Sequence, residues 1–524
     1  MNESVQTEAA LPGLEMSGAG PAEGTPVELK QRGRARVKPL DRSQLLFQTV
    51  DVERLIEPEH PARGIWEFVG RLDLERFYAP IEAVEGVAGR QPWDPRLLIS
   101  LWVYAYSRGI SSARELARRC AYEPAFQWLA ALGQVNYHTL ADFRSSYDAA
   151  LRELFVQVLG VLSAQGLVSL ERVMHDGTKV KALASKSSFQ REAGIEEHLE
   201  AARQQVEALK DWQGEETPRQ RAAQERAARE RHRRVEQALE ELDKIRQTKK
   251  GAQAAASARV SHTDPQARVM KQPDGGFAPS YNVQLSTDAA HKIIVGAAVS
   301  QKGNDFGQLL PGVQQVQQNF HTKPKQVVAD GGFTSRANII GMAAQGIEFI
   351  GSLPELDADT AGQLEQRGIG KEFYPQAFTY DTLADTYRCP AGEILRHVGC
   401  KQREDKVEHS YRTEPGRCQA CPFLVRCCGR QAEKGRLVVR LEERPEVNAY
   451  REKMQTPQAK AIYRQRSPVA EFPNAWLKAK LGLRQFRLRG LLKVELEVLW
   501  ACLAYNLQQW LRLSAQPKGV ASAT

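Results

Sequence analysis

Residues 325–336 read KQVVADGGFTSR, and this short stretch decides the fold. Val327-Val328-Ala329 is an apolar run with the composition of a strand buried on both faces. It ends at Asp330, and the pair Gly331-Gly332 follows. Ser335 to Gln345 then predicts a helix and Ile347 to Ser352 another strand. Upstream, Asp305 to Gln318 predicts a helix. Ser280 to Ser286 and Lys292 to Val299 predict strands joined by a turn at Asp288-Ala289-Ala290. A hairpin followed by helix, strand, helix, strand makes a mixed sheet flanked by helices. Asp330 then stands at a strand-to-helix crest, where open α/β sheets gather their reactive groups.

A second acid has the same setting. Arg172 to Asp176 predicts a strand ending at Asp176, followed by Gly177-Thr178-Lys179. Asp-Gly is also a common hairpin signal, so a plain turn at Asp176 stands beside the functional reading. Carboxylates converging from different strand ends suit phosphodiester chemistry, which needs two divalent metals ~4 Å apart to activate the attacking oxygen and stabilise the leaving one. Magnesium takes oxygen ligands and keeps several waters, so a few carboxylates suffice.

The totals agree with an anionic partner. Lys plus Arg number 72 against 63 Asp plus Glu, a net charge of +9. The excess is local: five basic residues and no acid lie between Lys30 and Lys38, and six basic residues and one acid between Glu471 and Lys493. Hydrophobic residues make up 42%, enough for a sizeable core. The strongest apolar stretches, Leu97 to Tyr106 and Val498 to Leu503, fall short of the ~20 residues that span a bilayer. Residues 1–40 lack an apolar signal region, so the expectation is an intracellular protein without a membrane partner.

Along the chain, residues 1–40 read as a disordered tail ending in the basic run, either a solvated end or a nonspecific phosphate-binding arm. Residues 41–168 read as a helical N-terminal domain. Asp94-Pro95 opens one helix, Gly109 ends it, and Ser112 caps the next, Ala113 to Cys120. This is the outline of a helix-turn-helix, with Arg114, Arg118 and Arg119 placed to meet DNA; an ordinary bundle with exposed arginines has the same outline. Residues 190–250 read as a helical hairpin broken at Gly214 to Pro218, with Ile195, Leu199, Val206 and Leu209 on one arm and Val235, Leu239, Leu242 and Ile245 on the other. Its highly charged middle is expected to project into solvent. Six of the eight cysteines fall between Cys389 and Cys428. Cys418-x2-Cys421 is a zinc half-site, and Cys389 with Cys427 could complete a closed structural tetrahedron; free thiols in a small insertion, residues 385–430, are the alternative. Residues 440–514 read as helical and 512–524 as a tail.

Three blocks then carry a resemblance. Residues 172–188 (RVMHDGTKVKALASKSS), 325–336 and 463–490 (YRQRSPVAEFPNAWLKAKLGLRQFRLRG) resemble, in order, the first-Asp, second-Asp and Glu blocks of DDE transposases from bacterial insertion sequences. LLISLWVYAYSRGISSARELARRC and YHTLADFR resemble the InsH-type N-terminal transposase domain, so the likeness runs over roughly residues 44–510. It implies a ribonuclease-H-like α/β core over residues 169–511, with the hairpin and the cysteine-rich segment as insertions. It also implies a metal-holding triad of Asp176, Asp330 and Glu471, and a signature of Tyr463, Arg466, Glu471 and Lys478. There are departures. Four residues separate Arg466 from Glu471, one more than in the best-known signature. Phe472-Pro473-Asn474 stands where a Phe-Gly pair is common, and Leu183 replaces a commonly polar position.

Glu471 and Lys478, seven residues apart, share one helix face. Arg484, Phe486, Arg487, Arg489 and Lys493 interleave charge with an aromatic, as a DNA-contacting surface does, or form a solvated basic face. The resemblance implies cut-and-paste transposition with two Mg2+ or Mn2+ ions per active site. Its partners would be duplex DNA, both terminal inverted repeats and target, bound by a homodimer in the cytoplasm at the nucleoid. The alternative is a catalytically inactive, transposase-derived DNA-binding protein.

Overall fold

The computed structural model describes residues 49–83, 91–210, 217–249, 251–352, 358–402 and 406–515. The basic run at 30–38, the first part of the break expected at Gly214 to Pro218 and the end of the C-terminal tail lie outside them.

The N-terminal helices start where their caps say they should. Asp94 accepts the Arg96 amide at 2.8 Å and Pro95 takes the first position of α1 (Pro95–Ser107); Ser112 caps α2 (Ala113–Cys120) through the Glu115 amide at 3.4 Å. Leu97 to Tyr106 are all buried, so α1 is a core helix rather than an amphipathic one. Gly109 between them has φ +75°, and a Cβ there would lie 2.9 Å from the Lys480 carbonyl, so glycine answers both the turn and a close backbone approach. A long helix, α3 (Asp148–Ala164), leads into the sheet.

The sheet elements follow as β1 (Arg172–Lys181), then α4 (Glu192–Lys210) and α5 (Pro218–Gln247), then β2 (Arg268–Lys271), β3 (Phe277–Asp288), β4 (Ile294–Ser300), α6 (Leu309–Phe320), β5 (Gln326–Ala329), α7 (Arg336–Ala344) and β6 (Glu348–Ile350). The strand order is β2-β3-β1-β5-β6, with β4 also paired to β3. β1 runs antiparallel to β3 and parallel to β5, and β5 runs parallel to β6. The expected mixed sheet is present, with two corrections. β1 does not stop at Asp176: β3 pairs with it from Val173 to Lys181, so the ladder carries the strand five residues further. The helix expected from Asp305 begins at Leu309, which leaves Asp305 in the loop ahead of it.

The hairpin arms α4 and α5 bury Ile195, Leu199, Val235 and Leu242 between them, with Ala258 and Val260 closing the cluster. Five strands, Thr379–Asp381, Thr386–Arg388, Ile394–Gln402, Lys406–Thr413 and Leu437–Glu443, form a second sheet, an antiparallel meander with a small core around Phe373, Leu395, Tyr411 and Val438. Among the described residues no helix is long and apolar enough to cross a membrane.

Two closing helices bind these parts together, α8 (Arg466–Ala479) and α9 (Leu491–Ser514). α9 is buried on nearly all sides, and one hydrophobic core runs from the N-terminal helices through the sheet to this helix. Asn506 accepts the Ile294 amide at 2.9 Å and donates to its carbonyl at 2.8 Å, fixing α9 to the start of β4. Trp500 Nε1 donates to the Arg144 carbonyl at 3.2 Å on the other side. Inside this apolar helix sits Glu497, fully buried, accepting the Arg487 amide at 3.0 Å and the Leu488 amide at 3.0 Å. Burial pushes its carboxyl up, against the pull of Arg144 and these amides. Glu497 therefore pins the 484–490 segment to the core. Glu497→Ala should lower the unfolding free energy by about 2 kcal/mol by stranding those amides, and Glu497→Gln by less, since it keeps an acceptor. Urea unfolding of the two variants measures this; unchanged midpoints would contradict it.

Candidate active site

The register of β1 on β5 pairs Met174 with Val328 and His175 with Ala329, so Asp176 and Asp330 are the next residues along two adjacent parallel strands. Strand spacing puts their backbones roughly 5 Å apart. Met174 and Val328 pack with Ile350 and with Ala470 of α8, and alternation puts Asp176 on that same face. The sheet thus delivers two carboxylates side by side beneath α8. Asp330 accepts the Gly332 amide at 2.8 Å, closing the turn that follows the strand.

Gly177 is a strand residue in extended backbone, not a turn. A Cβ on it would collide with Asp305 Oδ1, so its missing side chain makes room for a third acid. Asp305 Oδ1 is held by Asn282 Nδ2 at 2.8 Å and Gln284 Nε2 at 2.9 Å. A Cβ on Gly332 would lie 3.1 Å from Asp330 Oδ1 and 3.8 Å from Asp305 Oδ2, which brings Asp305 to the same crest. The sequence reading passed over Asp305. The available signal was the polar pair Asn282 and Gln284 at alternate positions of an otherwise buried strand.

α8 brings the other groups. Arg466 opens it, and its guanidinium lies 4.0 Å from Asp176 Oδ1 and 3.6 Å from Glu471 Oε1, bridging the two acids. Asp176 is 15% exposed and Glu471 59%. Pro473 stands inside the helix and donates no amide, yet the helix continues to Ala479. The next residue, Asn474, donates to Asp176 Oδ2 at 2.9 Å, while its own Oδ1 is buried without a partner. Tyr463 packs at the edge of the Met174–Val328 layer. Lys478 is half-buried; burial lowers it and Asp176 raises it, so it sits within the acid's field. Burial pushes Asp176 up to about 6, opposed by Arg466 and reinforced by Asp330 and Asp305. Among the described residues no three His, Cys, Asp or Glu side chains stand close enough to hold a metal as they are. Glu471 is turned to Arg466 instead.

The 483–490 segment lies along the far end of β1: Lys181 donates to the Arg484 carbonyl at 3.2 Å and accepts the Phe486 amide at 2.9 Å. Arg484 and Arg489 are exposed, their Nε atoms donating to the Lys478 carbonyl at 3.3 Å and the Leu183 carbonyl at 3.1 Å; Arg487 and Lys493 are exposed as well. Phe486 corrects the sequence reading. It is fully buried against Tyr281, so this aromatic is a core anchor and not a stacking platform. The N-terminal arginines stand apart from the acids. Arg114 lies over the Tyr137 ring, Arg118 pairs with Glu115 at 2.6 Å, and Arg119 pairs with Glu115 and Glu123.

In the meander, Cys389, Cys418, Cys421, Cys427 and Cys428 line one small cavity together with Thr413 and Arg436. Arg436 is buried and two of its nitrogens have no partner. A hydrogen bond from Cys428 lowers the Cys427 thiol and Arg436 adds to that, against burial. Cys400 is exposed on the 394–402 strand, away from the cavity.

Residues 388–511 match the family model Transposase DDE domain, and residues 50–146 match Transposase domain (DUF772). Glu471, Arg466 and the cysteines fall within the first match; Asp176, Asp305 and Asp330 fall between the two. No curated protein matches the chain significantly. Among solved structures, a piggyBac transposase synaptic complex with hairpin DNA is similar over 88% of this chain and 76% of that one, at 9% identity and a TM-score of 0.34. One transposase model matches the helices ahead of the sheet and another the helices that close over its acids, and together the two matches support a DDE-type transposase of insertion-sequence type.

Proposed function

We propose that this transposase performs cut-and-paste transposition, with Asp176, Asp330 and Glu471 as the ligands of two Mg2+ or Mn2+ ions on a ribonuclease-H-like core. The observation that carries the reading is the in-register placement of Asp176 and Asp330 on neighbouring parallel strands beneath the helix bearing Glu471. The donor set fits a hard divalent cation. Asp176 and Asp330 stand side by side at one crest with Asp305 acting on Asp176 through its charge, a buried amide oxygen of Asn474 is unpaired, and the only counter-charge bridging Asp176 and Glu471 among the described residues is Arg466. Bound there, such ions would activate the attacking oxygen and stabilise the leaving one.

The chain's own residues do the rest. Asn474 orients Asp176, and Arg466 holds Asp176 and Glu471 facing each other. Asp305, fixed by Asn282 and Gln284, offers a further carboxylate. Lys478, Arg484, Arg487, Arg489 and Lys493 carry the positive charge that a DNA strand entering the site needs. Arg114 and Arg118 on α2 are candidates for contacting the terminal repeats; the exposed Glu115 pair is weak enough for phosphate to replace. A homodimer on paired DNA ends at the nucleoid completes the reading. One structural zinc held by Cys389, Cys418, Cys421 and Cys427 is the reading for the cysteine cavity, the thiols drawing closer around the ion than they now stand, with thiolate charge answering the two Arg436 nitrogens that lack partners. Cys428 lines the same cavity and competes for the fourth position.

Three outcomes test this. Asp330→Asn should reduce Mg2+-dependent cleavage of duplex DNA by about a thousandfold or more, the scale of several kcal/mol of lost charge stabilisation, while leaving binding intact. Full cleavage by the variant would refute the assignment, and a wild-type chain that binds but never cuts would favour the inactive, DNA-binding alternative. Because the folded protein holds Asp176 at about 6, above its unfolded value, its charged form costs stability at neutral pH. Metal-free Asp176→Asn should therefore be more stable at pH 7, by up to about 3 kcal/mol, with the gain fading as pH falls through 6 and gone below the unfolded value. A pH series of denaturation curves reads this directly. Elemental analysis should find about one zinc per chain, lost in Cys418→Ser with a lower thermal midpoint; zinc-free protein of undiminished stability would remove the metal from the account.

A further inference from the structure

The charged middle of the α4–α5 hairpin is mostly exposed among the described residues, and α5 forms one wall of an open cleft of about 1410 Å³ whose other wall is the 487–493 segment. Arg226, Arg229 and Arg233, at three and four residue intervals, form a stripe on one face of α5 and line the cleft, as do Arg487, Arg489 and Lys493 opposite. Arg226, Arg233, Arg487 and Lys493 make no ion pair or side-chain hydrogen bond among the described residues. The carboxylates in the lining are Glu207, Glu230 and Glu240, of which Glu207 pairs with Lys210 at 2.7 Å and Glu230 with Arg234 at 3.5 Å. Arg234 on α5 also feels Arg489 across the cleft, which adds to the burial that lowers it. Like charges set against each other from two elements, with few local acids, mark a surface arranged around an anion.

We propose that the α4–α5 hairpin is a clamp that holds the backbone of duplex DNA against the 487–493 segment, beyond the point of cleavage. The inference rests on the transposase reading, since it takes the DNA held there to be continuous with the strand at the carboxylates. Two features favour DNA as the occupant. The stripe from Arg226 to Arg233 is about 10 Å long at ~1.5 Å per residue, three base-pair steps, and guanidinium groups suit bidentate contact with phosphate. The inner wall also continues the catalytic strand: Lys181 at the end of β1 bridges to Gln485, and Leu183 lines the cleft. From Asp176 to Lys181 is five residues, about 17 Å of strand, so the cleft meets the duplex about five or more base pairs from the cleaved phosphate.

The test uses the full chain and a fluorescein-labelled duplex long enough to reach both sites, with anisotropy read across a salt titration. Arg226→Ala with Arg233→Ala should flatten the slope of log affinity against log salt by about 2, near 0.9 per phosphate contact, while Arg226→Lys with Arg233→Lys should restore most of it. Both positions are exposed on α5, so helical content should not change. Hydroxyl-radical footprinting should show the alanine pair losing protection about five or more base pairs from the cleavage site, with protection at that site kept. An unchanged slope in a folded alanine variant, with wild type binding the duplex, overturns the clamp and leaves the transposase reading standing. A wild-type chain that fails to bind any duplex overturns both.

Discussion

The parallel pairing of β1 with β5 is the interaction on which the site depends. A sheet register slips in steps of one residue, and a slip of one would turn Asp176 to the opposite face. The register is held by β3, which pairs with β1 along nine residues, and by the layer of Met174, Val328, Ile350 and Ala470 beneath α8. Once that layer packs, the two aspartates follow it to the crest without any attraction of their own. They in fact repel, and burial compounds it, so the site stores unfavourable charge that the hydrophobic layers offset. Carboxylates perturbed in this way are a common mark of functional sites, and the proposed divalent cations would relieve the repulsion.

The positive charge is distributed in two ways. Arg466 stays inside the site and bridges Asp176 to Glu471, whereas the later basic residues are kept outside it by a core carboxylate. Glu497 accepts the Arg487 and Leu488 amides from within α9, so the backbone of the basic segment is anchored while its basic side chains remain exposed. Phe486 and Leu483 add apolar anchors to the same segment. A basic loop tied down in this way can meet phosphate without first paying the entropy of ordering itself. The helices ahead of the sheet share its core, and Gly109 meets the backbone at Lys480 and Gly482, so this loop is also braced from the N-terminal side.

Much of this was legible in the sequence, for reasons that can be named. Val327 to Ala329 read as a buried strand because parallel strands covered on both faces are uniformly apolar, and Asp94-Pro95 and Ser112 read as caps because their side chains complete unpaired amides. Asp176 read as a strand end because Asp-Gly imitates a turn; the glycine instead clears space for Asp305, a contact between residues far apart in the chain that no local pattern carries. Phe486 was misread for the same reason, since an aromatic among arginines has the same local pattern whether it faces solvent or Tyr281. The convergence of five cysteines on Arg436 likewise depends on the meander's pairing and not on spacing alone. Asn474 was noted only as a departure, yet it is the residue that orients Asp176.

The most direct test of the central claim is the anomalous scattering of Mn2+ in crystals of the chain bound to duplex DNA. The account predicts manganese between Asp176 and Asp330, within about 2.3 Å of a carboxylate oxygen of each, with Glu471 turned from Arg466 towards the metal. Manganese absent from that crest at saturating concentration, with DNA in place and Arg466 still bridging Asp176 and Glu471, would contradict it.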